Sequence, residues 1–113
     1  MKSTIEKINN FRDERNWRQF HNEKDLAISI SLEANELLEI FQWKTSEEAV
    51  ANDLQHIKEE LADVFIYGLM LADNLNLDVE KIISDKIKLN EKKYPVRESF
   101  SNKEKYTELN KEK

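Results

Sequence analysis

Four acidic side chains are the residues of this chain with the clearest potential for chemistry. Glu33 and Glu36 lie three residues apart in ISISLEANELLEIFQW, and Glu60 and Asp63 repeat that spacing in KEELADVFIYGLMLA. Residues at positions i and i+3 share one face of a helix, so each stretch presents two carboxylates on one side. Two such helices packed face to face would bring the four acids into one cluster.

The neighbours of these acids are apolar, which places the carboxylates near the edge of a core. Leu32 and Ala34 flank Glu33, and apolar residues also flank Asp63. Carboxylates crowded in such a place must take up a proton or a cation, because their charges repel and burial disfavours ionisation. A hard divalent ion suits oxygen ligands, and Mg²⁺, with Mn²⁺ as a possible substitute, is typical where phosphates complete the coordination. Such an ion also polarises phosphoryl oxygens.

Other interpretations of the acids remain open. The chain is 36% charged, so acid pairs with this spacing also arise by chance on solvated helix faces. Glu39 extends the row from Glu33 and Glu36, either as an acid that orients a water or as a surface residue. A carboxylate di-iron bundle is the weakest interpretation, because it uses Glu-x-x-His twice and this chain offers only Asp53 with His56.

Aromatic residues form a second group with possible function. Trp17 and His21 lie in an irregular connector, Trp43 follows a predicted helix, and Tyr67 lies in a predicted helix. Packing in the core is the default role for such rings. Rings at helix ends can also stack on nucleobases, which contributes about 1–3 kcal/mol per stacked base. Acids for a metal and rings for a base together indicate a nucleotide ligand.

The composition favours a single helical domain over residues 1–113. One glycine and one proline leave little material for β-hairpins. The chain has no cysteine, which excludes disulfides, thiolate metal sites and a cysteine nucleophile. The predicted fold is all-α, an antiparallel bundle of about four main helices, with a polar C-terminal tail from about residue 96.

Charge and hydropathy limit the classes of partner. The net charge of −5 disfavours binding to nucleic acid polymers, although metal ions could still bridge a small polyanion to the acids. The opening MKSTIEKINNF lacks the apolar run of a signal peptide, and no stretch reaches membrane-spanning length. We therefore expect a cytoplasmic protein that does not bind membranes.

Apolar periodicity and capping residues predict where the helices lie. The predicted helices cover residues 3–15, 24–43, about 53–74 and 79–93, with a short helical turn over residues 45–51. Short polar side chains that can accept hydrogen bonds from free N–H groups are predicted as the N-caps: Ser3, Asn22, Thr45, Asn52 or Asp53, and Asp78. Ile5, Ile8 and Phe11 are predicted to face inward from the first helix, opposite a highly charged outer face.

The third predicted helix is apolar on every side from Val64 to Ala72. A helix of this kind is buried on all sides, and a single small domain rarely supplies enough other helices to cover it. Partner subunits would provide the cover. The sequence therefore predicts a homo-oligomer that associates through its central helices.

The chain resembles the MazG-like all-α nucleoside triphosphate pyrophosphohydrolases, in particular the small dCTP pyrophosphatase branch. The similarity extends from about Phe11 to Leu109 and includes, in order, the segments ERNWRQFH, LEANELLEIFQWK, EELADVFIY, NEKKYP and KYTEL. Each segment alone is weak evidence, but five in the same order at similar spacing are specific.

The resemblance assigns roles to particular residues. The family's metal-binding acids fall on Glu33, Glu36, Glu60 and Asp63. Its base-pocket residues fall on Trp17, His21, Trp43 and Tyr67. Lys86, Asn90 and, more weakly, Tyr94 match positions that reach the phosphates.

The resemblance also implies an activity. It implies Mg²⁺-dependent hydrolysis of a (deoxy)nucleoside triphosphate to the monophosphate and pyrophosphate, in removal of surplus or non-standard nucleotides. Glu36 or Glu39 is the candidate for orienting the attacking water. The family assembles as dimers or as tetramers of two dimers, and a neighbouring subunit completes each pocket.

Departures from the family pattern concern the substrate more than the reaction. Many relatives carry a further acid directly before the first glutamate, where this chain has Leu32, and Asn35 stands where a small residue is common. A dUTP or phosphoribosyl-ATP pyrophosphatase is a competing hypothesis within the superfamily. A non-catalytic helical module that binds nucleotides or proteins is the alternative from another class.

Overall fold

A computed structural model of the chain describes residues 1–100. Its α-helices are α1 (Lys2–Glu14), α2 (Glu23–Phe41), α3 (Ser46–Asn74), α4 (Val79–Lys93) and α5 (Val96–Ser99), and a 3-10 turn (Arg18–Phe20) lies between α1 and α2. No β-strand forms within these hundred residues. The predicted all-α fold with four main helices is confirmed.

Local capping explains most helix starts. The side chains of Asn22, Thr45 and Asp78 accept hydrogen bonds from backbone N–H groups in the first turns of α2, α3 and α4, as predicted. The prediction for Ser3 is wrong, because α1 begins at Lys2 and Met1 occupies the cap position, with no capping hydrogen bond to its side chain.

The segment after Thr45 is one long helix with a kink. The predicted short turn and third helix join in α3, where Asp53 departs from helical geometry with φ −124° and ψ 24°. The Asp53 carboxylate pairs at 2.6 Å with the ammonium group of Lys44, a residue that precedes α3. The predicted boundary at Asn52 or Asp53 is therefore a kink.

Helices α2 and α3 pack against each other in opposite directions. Asn74, at the end of α3, donates a hydrogen bond to the carbonyl of His21, just before α2, at 2.6 Å. Lys44, just after α2, pairs with Asp53 near the start of α3. Helix α1 also contacts α3, where Arg12 pairs with Asp73 at 3.0 Å. The acid-bearing segments of α2 and α3 thus meet near the middle of the pair.

The chain divides into two compact units, residues 1–77 and a second unit that begins at Asp78. The first unit contains α1, α2 and α3, and the second begins with α4. The observed bounds of α4 match the predicted ones, Val79–Lys93, with Lys92 and Lys93 in its last turn. The predicted polar tail starts with the short helix α5, and the rest of the tail, including KYTEL, lies outside the described residues.

A small apolar core holds the helices of the first unit together. Its buried apolar residues are Ile8, Leu26, Ile40, Ala49, Leu69, Met70 and Ala72. In the apolar stretch of α3, Leu69 and Met70 are buried, whereas Phe65 is 61% exposed. The burial of this stretch by partner subunits stays a prediction. None of the described helices is both long and apolar enough to cross a membrane.

Candidate functional site

Three of the four predicted acids meet between α2 and α3. Glu33 and Glu36 lie on α2 and Glu60 on α3, and each offers a carboxylate oxygen within 4.8 Å of the others. We call these three residues the acid cluster. Glu33 and Glu36 share one face of α2 because they are three residues apart, and that face meets Glu60 on α3.

The acid cluster carries more negative charge than its surroundings neutralise. Burial, together with the carboxylates of Glu36, Glu60 and Asp63, raises the pKa of Glu33 from 4.5 to about 7. The Oε2 atoms of Glu33 and Glu60 are buried and have no hydrogen-bond partner. Glu60 has His56 as a neighbour at 3.3 Å through its other oxygen.

The acid cluster fits a divalent cation. Buried carboxylate oxygens without partners are hard donors that Mg²⁺ and Mn²⁺ prefer, and an ion would offset the repulsion that raises the pKa of Glu33. Asp63, one turn after Glu60 on α3, contributes to that repulsion and lies on the side of the cluster that faces an aromatic cavity. These observations support the four acids as metal ligands, which remains a prediction.

The aromatic cavity has a volume of about 420 Å³, which is sufficient for a nucleobase. Trp17, His21 and Tyr67, all predicted base-pocket residues, contribute to its walls. The complete lining is Lys7, Ile8, Phe11, Trp17, His21, Asp63, Ile66, Tyr67 and Met70. Because Asp63 lines this cavity and also acts electrostatically on Glu33, the cavity and the acid cluster adjoin.

The rings of the aromatic cavity lie edge to face. Trp17 packs against Phe11 with the ring centroids 5.5 Å apart and against His21 at 6.4 Å, both at 78°. Burial and the charges of Arg12 and Arg18 lower the pKa of His21, so the imidazole is neutral near pH 7. The Nδ1 atom of His21 is buried without a hydrogen-bond partner. The cavity therefore offers aromatic faces and one polar atom that a ligand could satisfy.

Another recess, of about 390 Å³, adjoins the acid cluster and is lined mainly by charged residues. Glu39, a predicted candidate for orienting water, lies there with Glu36 and Glu60. The Glu39 carboxylate accepts a hydrogen bond from Asn35 at 3.2 Å. His56 and the Lys44–Asp53 pair complete the charged lining. Both Glu36 and Glu39 therefore border the same space.

Trp43 is not brought into the aromatic cavity. Its side chain is 99% exposed, and the residue has a left-handed backbone with φ 63° in the loop between α2 and α3. A role for Trp43 in base binding therefore needs a surface beyond the first unit, such as a partner subunit.

The predicted phosphate-contacting residues lie in the second unit. Lys86 and Asn90 are on α4, and Tyr94 is the residue that follows its last turn. The backbone N–H of Tyr94 donates to the carbonyl of Asn90 at 2.8 Å. Their contact with phosphates stays a prediction.

Sequence reasoning missed several residues of the site. Lys7, Phe11 and Met70 line the aromatic cavity, and Phe11 and Met70 had been noted only as apolar positions of predicted helices. Arg12 on α1 was not singled out either, although its side chain is fully buried. Its spacing of four residues from Ile8 was the available signal, since i and i+4 share a helix face.

Without metal, the protein should become less stable as the pH rises from about 5 to about 8. The folded-state pKa of Glu33, about 7, exceeds its ordinary value of 4.5, so the folded protein binds this proton more tightly than the unfolded chain. That stabilisation is complete below the unfolded pKa and is lost as the pH rises through the folded one. Thermal melts in EDTA across this range measure the effect.

Glu33→Gln is the control for this pH dependence. The variant cannot ionise, so its melting temperature should lack the decline that Glu33 causes. The comparison also separates Glu33 from His21, whose lowered pKa acts in the opposite direction. A variant whose pH profile matched that of the wild type would contradict the assignment.

The fold and the site together place this protein in a class: all-α proteins with a cluster of carboxylates between two antiparallel helices. The MazG-like family profile matches residues 28–109, which cover both acid pairs. The chain belongs to the MazG-like family.

Comparison with individual proteins agrees with this membership. The chain is 36% identical over 104 residues to dCTP pyrophosphatase 1 of Homo sapiens, covering 88% of this chain and 61% of that protein. The Bos taurus protein of the same name has 36% identity, with 88% of this chain and 62% of that protein covered. The chain thus spans less than two thirds of these relatives.

A solved structure is similar over most of both chains. The crystal structure of a pyrophosphatase from Archaeoglobus fulgidus superposes with a TM-score of 0.80 and 40% sequence identity. The superposition covers 84% of this chain and 92% of that one.

Proposed function

We propose that this protein hydrolyses (deoxy)nucleoside triphosphates, dCTP or a related dNTP, to the nucleoside monophosphate and pyrophosphate, with Mg²⁺ as cofactor. The observation that carries the proposal is the acid cluster next to an aromatic cavity of base size, joined through Asp63. This arrangement suits a ligand with a base at one end and a polyphosphate at the other. The activities named for the human and Archaeoglobus proteins support the same reaction class.

Each group of residues has a distinct role in the proposal. Trp17, His21 and Tyr67 bind the base in the aromatic cavity. Glu33, Glu36, Glu60 and Asp63 hold Mg²⁺, which offsets phosphate charge and polarises phosphoryl oxygens when bound. Glu36 or Glu39 orients the water that adds across the broken phosphoanhydride bond. Lys86, Asn90 and Tyr94 contact the phosphates.

A substrate panel tests this function. Purified protein is incubated with the common dNTPs and NTPs in Mg²⁺, in Mn²⁺ and in EDTA, and pyrophosphate release is measured. We expect turnover with either metal and none in EDTA, with dCTP or a related dNTP preferred. A preference for dUTP or phosphoribosyl-ATP would keep the reaction class and correct the substrate.

A non-catalytic nucleotide-binding or interaction module is the alternative function. Absence of turnover with every nucleotide, together with calorimetric binding of one of them, would favour that alternative. The presence of all four predicted acids in the sequence argues for catalysis and against a module with a degenerate site.

The exposed apolar surface of α3 supports a homo-oligomer, which we propose is a tetramer formed from two dimers. Phe65, 61% exposed in the apolar stretch of α3, belongs to this surface. Phe65→Glu should lower the mass of the oligomer, because burying an unpaired carboxylate in an apolar interface is unfavourable. Light scattering after size exclusion measures the mass.

Gln55→Glu is the matched control for Phe65→Glu. It adds the same charge to α3 at an exposed polar position, so the oligomer should persist. Equal masses for the wild type and Phe65→Glu would contradict the use of this surface. We further propose a cytoplasmic protein of nucleotide-pool control that binds neither nucleic acid polymers nor membranes.

A further inference from the structure

Arg12 is a buried charge outside the acid cluster. Its side chain on α1 is 0% exposed, and it is the one charged residue that is buried among residues 1–100. Its Nη2 donates to Asp73 Oδ2 at 3.0 Å and its Nε donates to Asn9 Oδ1 at 3.1 Å. A buried charge needs such partners in place of water, and these contacts hold two of the three guanidinium nitrogens, while Nη1 is buried without a hydrogen-bond partner.

Asp73 extends this network to the connector between α1 and α2. Its Oδ2 atom lies 3.0 Å from Arg12 Nη2 and 3.6 Å from Arg18 Nη1. Arg18, in the 3-10 turn, also pairs with Asp13 on α1. One carboxylate of α3 thus lies between a guanidinium of α1 and a guanidinium of the connector.

The segment Trp17–His21 is attached at both of its ends. The N–H of Trp17 donates to the carbonyl of Arg12 at 2.8 Å. Asn74 Nδ2, on α3, donates to the carbonyl of His21 at 2.6 Å. Asn16, directly before the segment, has φ 53°, a left-handed conformation that asparagine adopts more readily than most residues.

This attached segment supplies one wall of the aromatic cavity. Trp17 and His21 both line the cavity, and they contact each other edge to face. The position of the two rings therefore depends on the contacts that hold this segment to α1 and α3.

We propose that Asn74, together with the Arg12–Asp73 ion pair, positions Trp17 and His21 for nucleotide binding. This inference rests on the proposed function. Asn74 is 14 residues from Glu60 on the same helix, which is about 21 Å along its axis. Loss of the positioning contacts should therefore weaken nucleotide binding, while the acid cluster keeps its metal and its chemistry.

Asn74→Ala tests the proposal, with Gln19→Ala as the matched control. Gln19 Nε2 also donates to a backbone carbonyl, that of Asn16 at 2.9 Å, but this bond lies within the connector and does not reach α3. We expect Asn74→Ala to raise KM about fivefold or more, with kcat within about threefold and Mn²⁺ affinity unchanged. Gln19→Ala should leave KM within about twofold of the wild type.

Arg12→Lys gives a second, independent variant. It keeps the charge but cannot bond Asp73 and Asn9 with a planar fork, so KM should again rise more than kcat falls. Circular dichroism fixes a temperature at which every variant is folded. If both variants lower the melting temperature but match Gln19→Ala in KM, the network is only structural and the proposal is overturned.

The experiment also separates this inference from the proposed function. A wild-type protein without turnover on any nucleotide contradicts the proposed function alone. The calorimetric dissociation constant of the nucleotide then replaces KM, and the same difference between Asn74→Ala and Gln19→Ala supports the positioning role. A wild-type protein that binds no nucleotide overturns both.

Discussion

Glu60→Gln is expected to lower kcat by about a hundredfold to a thousandfold while the helices remain intact. The substitution keeps the shape of the side chain but removes one of the negative charges that meet within 4.8 Å between α2 and α3. A carboxamide oxygen is a weaker ligand for a hard divalent ion than a carboxylate, so the metal should bind less tightly. Steady-state kinetics at saturating nucleotide, over a series of Mg²⁺ concentrations, measures both effects.

Glu60→Gln should also change stability in a direction that simple damage would not produce. Without metal, the variant removes the charge of a carboxylate whose Oε2 atom is buried without a hydrogen-bond partner, so it should melt at a higher temperature than the wild type. With Mg²⁺, the wild type should gain more stability than the variant, because binding to the folded state stabilises it.

Glu59→Gln is the matched control for this prediction. It makes the same chemical change at the adjacent residue, whose exposed side chain accepts a hydrogen bond from Gln55 at 3.3 Å. We expect kcat within about twofold of the wild type. If Glu60→Gln were as active as Glu59→Gln at every Mg²⁺ concentration, the acid cluster would not be the metal site.

Trp17→Ala is expected to raise KM about tenfold to a hundredfold with a much smaller change in kcat. Trp17 lines the aromatic cavity, and stacking on a base contributes about 1–3 kcal/mol where it has been measured by substitution. The metal-binding acids lie on α2 and α3 and keep their positions, so the chemical step should be largely retained. Initial rates over a wide range of nucleotide concentrations separate KM from kcat.

Phe20→Ala is the control for Trp17→Ala. Phe20 belongs to the same connector, but its ring is exposed and is not part of the cavity lining. Trp17→Ala also removes the edge contact with Phe11, so both variants are assayed where circular dichroism shows them folded. A KM for Trp17→Ala equal to that of Phe20→Ala would remove Trp17 from the binding site.

The helices could be predicted because their signals are local. A periodic apolar face and a capping side chain lie within a few residues of each other, which explains the agreement at Asn22, Thr45 and Asp78. The prediction of a cap at Ser3 failed because α1 already begins at Lys2, with Met1 in the cap position. The kink at Asp53 was not predicted as such, and the Asp53 side chain there pairs with Lys44, a residue outside the helix.

The acids of the candidate site were also accessible from the sequence, since spacing on a helix fixes the face. Trp43 was not, because its place depends on the path of the loop, which leaves the ring exposed in the single chain. The burial of Arg12 was not predicted, because charged side chains usually face solvent and its ion-pair partner Asp73 lies 61 residues away. Pairings between distant segments are the part of the site that periodicity cannot supply.

The most direct test of the proposed reaction is a phosphorus NMR spectrum of one dNTP, dCTP, after complete conversion in Mg²⁺. Hydrolysis between the α and β phosphorus atoms predicts signals of the monophosphate and of pyrophosphate in equal amounts, and no conversion in EDTA. A diphosphate together with orthophosphate would place the cleavage at the terminal phosphate and would contradict the proposed function.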